Sequence, residues 1–88
     1  MLKLKSETLE DLLKEMVQRK GEISTCVVTR VLEGLRMGTP SVHIEVESNF
    51  GMDIYVDDVN YRDVLETNLN TLLELEEYEL ANECKNWL

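Results

Sequence analysis

Apolar residues at Leu9, Leu12, Leu13, Met16 and Val17 recur at i, i+3, i+4, i+7 and i+8, the stripe that an amphipathic helix turns toward a core. Ser6 or Thr8 stands where an N-cap is wanted, acids collect in the first turn, Arg19 and Lys20 fill the last, and Gly21 takes the left-handed position just beyond. Both ends agree with the helix dipole. Residues 23–35 carry two competing periods. Ile23, Val27, Val28, Val31, Leu32 and Leu35 fit a helical face, and Arg36, Gly38 and Pro40 resemble its stop. The run Thr25-Cys26-Val27-Val28-Thr29 is rich in the β-branched residues that strands favour. The hairpin that follows decides for a strand over residues 23–32, because a two-stranded hairpin is marginal by itself and wants a third strand.

That hairpin is read from strict alternation in Val42–Ser48 and Met52–Asp57, with Asn49-Phe50-Gly51 as a three-residue loop. It sets Ser48 opposite Met52, Val46 opposite Ile54 and Ile44 opposite Val56 on the core face. The other face then pairs His43 with Asp57, Glu45 with Tyr55 and Glu47 with Asp53. Asn60 is a cap for the next helix with Asp63 at the capping-box position, and Tyr61, Val64, Leu65, Leu69, Leu72 and Leu73 form its stripe. The period breaks at Glu76-Glu77, and a shorter helix runs from Tyr78 or Glu79 to the end with Ala81, Cys84 and Leu88 on one side. The expected fold is α+β: an N-terminal helix, a three-stranded antiparallel meander and a C-terminal helical hairpin. At 88 residues it is a single small domain, residues 1–88, within which residues 60–88 are the hairpin.

Charge changes the picture more than composition does. Residues 1–36 hold seven bases and six acids, whereas residues 37–88 hold two bases, Arg62 and Lys85, against twelve acids. With a net charge of −9, direct nucleic-acid binding through phosphate neutralisation is disfavoured, and the acidic part steers toward basic protein surfaces or divalent cations. The apolar runs are far too short for a membrane span and the amino terminus has no secretory core. A soluble, cytoplasmic protein with no membrane association is expected.

Catalytic inventory is thin. No phosphate loop, dinucleotide fingerprint, nucleophile elbow or zinc helix is present in the sequence. Cys26 and Cys84 belong to no CxxC or Cys/His cluster and read as small buried hydrophobes. His43, Glu45, Glu47, Asp53 and Asp57 form the one ionisable cluster, on the outer face of the hairpin, and a metal-dependent enzyme using His43, Glu45 and Asp57 is the reading they would carry. Facing carboxylates on strands do not wrap an ion, so no cofactor, no metal and no enzymatic activity are expected. Phe50 at the hairpin tip and Trp87 beside the carboxyl terminus are the aromatics placed to anchor a partner.

The segment from Leu75 to Leu88 resembles the UVR motif, a helical hairpin found at the end of bacterial excision-repair subunits and in several Clp-associated proteins. Tyr78, Glu79 and Ala81 match the opening of its second helix, and Cys84, Lys85, Asn86 and Leu88 are milder variants of its closing half. Leu65, Leu69 and Leu72 suit its first helix, so the resemblance covers residues 65–88. It implies contact with another copy or with a partner's hairpin, and Lys85-Asn86 replaces the Arg-Asp pair of the family. The expected function is therefore a non-enzymatic protein–protein interaction module or small homo-oligomer. Its contact residues would be Leu69, Leu72, Tyr78, Ala81, Cys84, Trp87 and Leu88, with Phe50 as a further knob. The alternative is an acidic decoy whose carboxylates stand where the phosphates of a nucleic acid would lie.

Overall fold

The computed structural model describes residues 2–51 and 53–88. The elements follow the chain as β1 (Leu2–Lys3), α1 (Leu9–Gln18), α2 (Lys20–Met37), β2 (Ser41–Glu47), β3 (Asp53–Asp57), a 3-10 turn (Asp58–Asn60), α3 (Tyr61–Glu74) and α4 (Tyr78–Asn86). The class is α+β as expected, but the sheet is mixed. Its order is β1-β2-β3, with β1 parallel to β2 and β3 antiparallel to it.

Residues 23–32, expected as the third strand, lie inside α2. The β-branched run is accommodated because the Thr25 and Thr29 hydroxyls donate to the carbonyls of Gly21 and Thr25, one turn back, at 2.9 and 2.7 Å. The helical face then buries Val28, Val31 and Leu32. Gly38, at φ 67°, ends the helix in the left-handed conformation. The third strand is instead Leu2–Lys3, paired with Val46 and Glu47. A parallel partner needs a long crossover, which α1 and α2 supply.

Gly21 is likewise not the terminator of α1. The first helix ends at Arg19 and the second begins one residue later, so Gly21 sits in the first turn of α2, where an added Cβ would lie 2.7 Å from Leu75 Cδ1. Its lack of a side chain makes room for that leucine. At the other end of α1, Thr8 is the cap, its Oγ1 accepting from the Asp11 amide at 3.2 Å. Ser6 turns elsewhere and donates to Glu15 at 2.8 Å.

The hairpin register is shifted by two residues from the expected one. Val42 faces Val56, His43 faces Tyr55, Ile44 faces Ile54, Glu45 faces Asp53 and Ser41 faces Asp57. An even shift returns every side chain to the same face, so Val42, Ile44, Val46 and Val56 still enter the core. Met52, expected opposite Ser48, lies outside the described residues. Asn60 precedes α3 but its side chain makes no capping bond, so the Asn60–Asp63 capping box is not formed. The 3-10 turn feeds the helix directly.

Helix α2 is the element that β2, α3, α4 and α1 all pack against. The main core joins Val28, Val31 and Leu32 to Val42, Ile44 and Val56 of the sheet, and to Tyr61, Leu65, Leu72, Ala81 and Cys84 of the last two helices. Gly34 lets that packing close. A Cβ there would stand 2.6 Å from Val42 Cγ1 and 2.9 Å from Tyr61 Oη, and the Tyr61 hydroxyl donates to the Thr39 carbonyl at 3.0 Å. No helix among the described residues is long and apolar enough to cross a membrane.

Candidate interaction surfaces

The expected contact residues of the helical hairpin divide into two groups. Leu72, Ala81 and Cys84 are buried in the chain's own core, with Leu69 partly buried against it. Burial pushes the Cys84 thiol up, away from the thiolate range a nucleophile needs. Tyr78, Trp87 and Leu88 stay exposed, as does Leu75 at the end of α3. Phe50 is exposed too, but on a separate element, the β2–β3 loop, which Asn49 ties to the Ser6 carbonyl at 3.1 Å.

The turn between α3 and α4 has an unusual backbone. The Glu76 amide donates to the Leu73 carbonyl at 3.1 Å and the Glu77 amide to that of Leu72 at 2.9 Å, the double closure of a Schellman motif. Glu76 occupies the left-handed position, at φ 61°, where glycine is the ordinary choice. The turn thus presents Glu74, Glu76, Glu77 and Glu79 around the exposed Leu75 and Tyr78. All twelve acids of residues 37–88 are exposed.

On the outer face of the sheet, the register change reassembles the ionisable cluster. His43 Nε2 lies 3.0 Å from Asp53 Oδ1, and its ring stacks on Tyr55 with centroids 4.5 Å apart. Asp57 stands across from Ser41 instead of His43, and Glu47 lies beside Lys3 of β1. Among the described residues, no group of three His, Cys, Asp or Glu side chains is placed to hold a metal ion. Cys26 borders a shallow depression of about 340 Å³ with Arg30, His43, Ile44 and Glu45, where the Arg30 side chain donates to the His43 carbonyl at 3.3 Å.

Helix α1 carries exposed residues that the periodicity assigns to the core. Leu12 is buried and Met16 partly so, while Leu9, Leu13 and Val17 are 63%, 59% and 76% exposed. They lie one turn apart in a single row. The signal was available in the stripe's width: at 100° per residue the five apolar positions span about 140° of arc, more than one contact with a small domain covers. Leu13, Lys14, Val17 and Gln18 line a shallow, mainly apolar depression of about 350 Å³. Comparison with protein-family models, with curated proteins and with solved structures found no match for the chain.

Proposed function

We propose that the chain is a non-enzymatic protein–protein interaction module whose helical hairpin docks a partner that is apolar at its centre and basic at its rim. The observation that carries this reading is the α3–α4 turn, where Leu75 and Tyr78 stand exposed among Glu74, Glu76, Glu77 and Glu79. Exposed aromatics ringed by charge supply the anchor and the orienting field of an interface. A glutamate kept at φ 61° is the kind of backbone strain that collects at binding sites. The UVR-like Tyr78-Glu79 opening and Ala81 support the same end of the hairpin, whereas Trp87 and Leu88 stand beyond the far end of α4.

The test is capture of partners from the native host by the immobilised chain, compared with a Tyr78→Ala variant. Truncating α4 would strip Ala81 and Cys84 from the core, so a surface substitution is the cleaner perturbation. The wild type retains a protein that Tyr78→Ala loses, and the complex survives high salt because apolar contacts hold it. Equal capture by both chains counts against the reading. The acidic decoy is the second reading, supported by the uniform exposure of the twelve carboxyl-half acids. It predicts a complex that dissolves steeply with salt, because exposed attractions fade beyond ~8 Å at physiological ionic strength, and that ignores Tyr78→Ala.

A further inference from the structure

We propose that the free edge of β3 takes a further strand from another protein, an extended segment that pairs antiparallel with it and carries a Lys or Arg opposite each of Asp53 and Asp57. The direction of the backbone groups follows from one bond just beyond the regular ladder, in which the Asp58 amide donates to the Pro40 carbonyl at 2.8 Å. Continuing the register of Ser41 with Asp57 makes Pro40 and Asp58 a hydrogen-bonded pair, and bonded pairs alternate with non-bonded ones in an antiparallel ladder. Val42 with Val56 and Ile44 with Ile54 are then the bonded pairs. The N–H and C=O groups of Asp53, Tyr55 and Asp57 point away from β2, in the plane of the sheet.

The two sides of the β2–β3 hairpin differ. On the far side of β2, β1 pairs with Val46 and Glu47, the Leu4 amide donates to the Glu47 carbonyl at 2.7 Å, and Arg30 of α2 donates to the His43 carbonyl at 3.3 Å. On the far side of β3 there is no further strand among the described residues, and no hydrogen bond among them reaches the backbone of Asp53, Tyr55 or Asp57. The strand also holds neither Pro nor Lys, the residues that commonly guard an edge. A row of unpaired ladder groups is a template for main-chain pairing, in which alternate side chains of the incoming strand set the specificity.

Charge decides which strand fits. Asp53, Tyr55 and Asp57 are exposed on the outer face, and they are the residues whose backbone groups point outward, so each meets the side chain directly opposite on an added strand. Full antiparallel overlap of two copies about Tyr55 would set Asp53 of each against Asp57 of the other, and like charges directly opposite destabilise a pair. Basic residues four apart turn both positions into attractions, and Glu45, across from Asp53 on β2, adds to the same field. The residue midway between them meets Tyr55, whose ring is 69% exposed and stacks on His43. A β-branched or aromatic residue suits that place. The acids that close the edge to a second copy thus open it to a basic strand.

The probe is the capped peptide Thr-Lys-Thr-Val-Thr-Lys-Thr, titrated into the full chain and followed by NMR. It binds one-to-one, and amide hydrogen exchange slows at Asp53, Tyr55 and Asp57. Replacing both its Lys by Glu abolishes binding. N-methylating its Val and both Lys, which keeps every charge and removes the donors, weakens binding at least tenfold. Tyr55→Pro does the same with an unchanged circular dichroism spectrum, because it removes an amide that the β2 ladder does not use; Tyr55→Thr keeps that amide and still binds. An N-methylated peptide that binds as well as its parent reduces the effect to charge attraction and overturns the proposal, as does an absence of binding at millimolar peptide. Protection that appears between Leu75 and Tyr78 instead of in β3 overturns it and assigns the peptide to the hairpin turn. Protection of β3 on concentrating the chain alone also overturns it and gives the edge to a second copy. Tyr78→Ala leaves the peptide bound, so the edge and the hairpin reading stand or fall separately.

Discussion

Around α2, Val28, Leu32, Leu65, Leu72 and Cys84 close on one another with almost no exposed surface. At the amino-terminal edge the second cluster has, among the described residues, four buried members, Leu2, Leu4, Leu12 and Val46. The edge makes up the difference with charge. The Glu15 carboxylate accepts from the Lys5 amide at 3.0 Å, the Ser6 amide at 3.1 Å, the Ser6 hydroxyl at 2.8 Å and Arg19 at 3.0 Å. Arg19 continues to the Lys3 carbonyl and to Glu22, the latter at 2.6 Å. One region is held by dry packing and the other by a carboxylate that ties β1, the following loop and the α1–α2 junction together. The body should therefore unfold as a unit, and the edge should be able to open by itself.

The largest effect is expected at the centre of the packed body. Leu72→Ala removes a side chain with no exposed surface and should cost ~2–5 kcal/mol, the usual range where neighbours cannot collapse into the gap. Urea unfolding followed by circular dichroism and by Trp87 fluorescence should shift to lower denaturant with both probes coincident. Separate transitions for the two probes would break the picture of a single cooperative body.

Leu12→Ala is the matching change at the edge. A four-residue cluster at a surface relaxes more easily, so about 2 kcal/mol, the lower end of that range, is expected. Its distinguishing feature is locality. Hydrogen exchange should quicken in α1 while α3 keeps its protection. If α3 loses protection in step with α1, the two regions are one cooperative unit and the comparison fails.

The contrast also explains what was legible in the sequence. Elements whose period is enforced by deep burial were readable: α3 through Tyr61, Leu65 and Leu72, α4 through Ala81 and Cys84, and the faces of β2 and β3. Register was not, because pairing Ile44 with Ile54 or with Val56 buries the same side chains. The strand reading of residues 23–32 failed because the hairpin's third strand is supplied by Leu2–Lys3, while threonine hydroxyls bonded to carbonyls one turn back let the β-branched run be helical. A two-residue strand such as Leu2–Lys3 has no period to read. At the candidate surfaces, Tyr78, Trp87 and Leu88 were nameable from residue type. Leu72, Ala81 and Cys84 were not separable from them, since a stripe does not reveal which neighbour covers it.

The smallest effect concerns Glu15, and it is a matter of pH. The Ser6 hydroxyl first, then the Lys5 amide and Arg19, outweigh partial burial and hold this carboxyl at about 2 against an ordinary value of 4.5. The folded value lies below the unfolded one, so the network's contribution is complete above pH 4.5 and is lost as the pH falls from there toward 2. Arg19 is raised above its ordinary value by Glu22 and Glu15 and stays charged throughout. Glu22 is lowered by the same arginine and titrates in the same direction, so Glu15→Gln should remove part of the acid sensitivity of the edge and leave the rest. The Lys5 and Ser6 amide resonances report it directly. In the wild type they should move with a midpoint near 2, and in Glu15→Gln they should stay still across that window. A wild-type midpoint at 4.5, the ordinary carboxyl value, would mean that the carboxylate is not bound as described, and the difference between a packed body and a charge-held edge would lose its chemical basis.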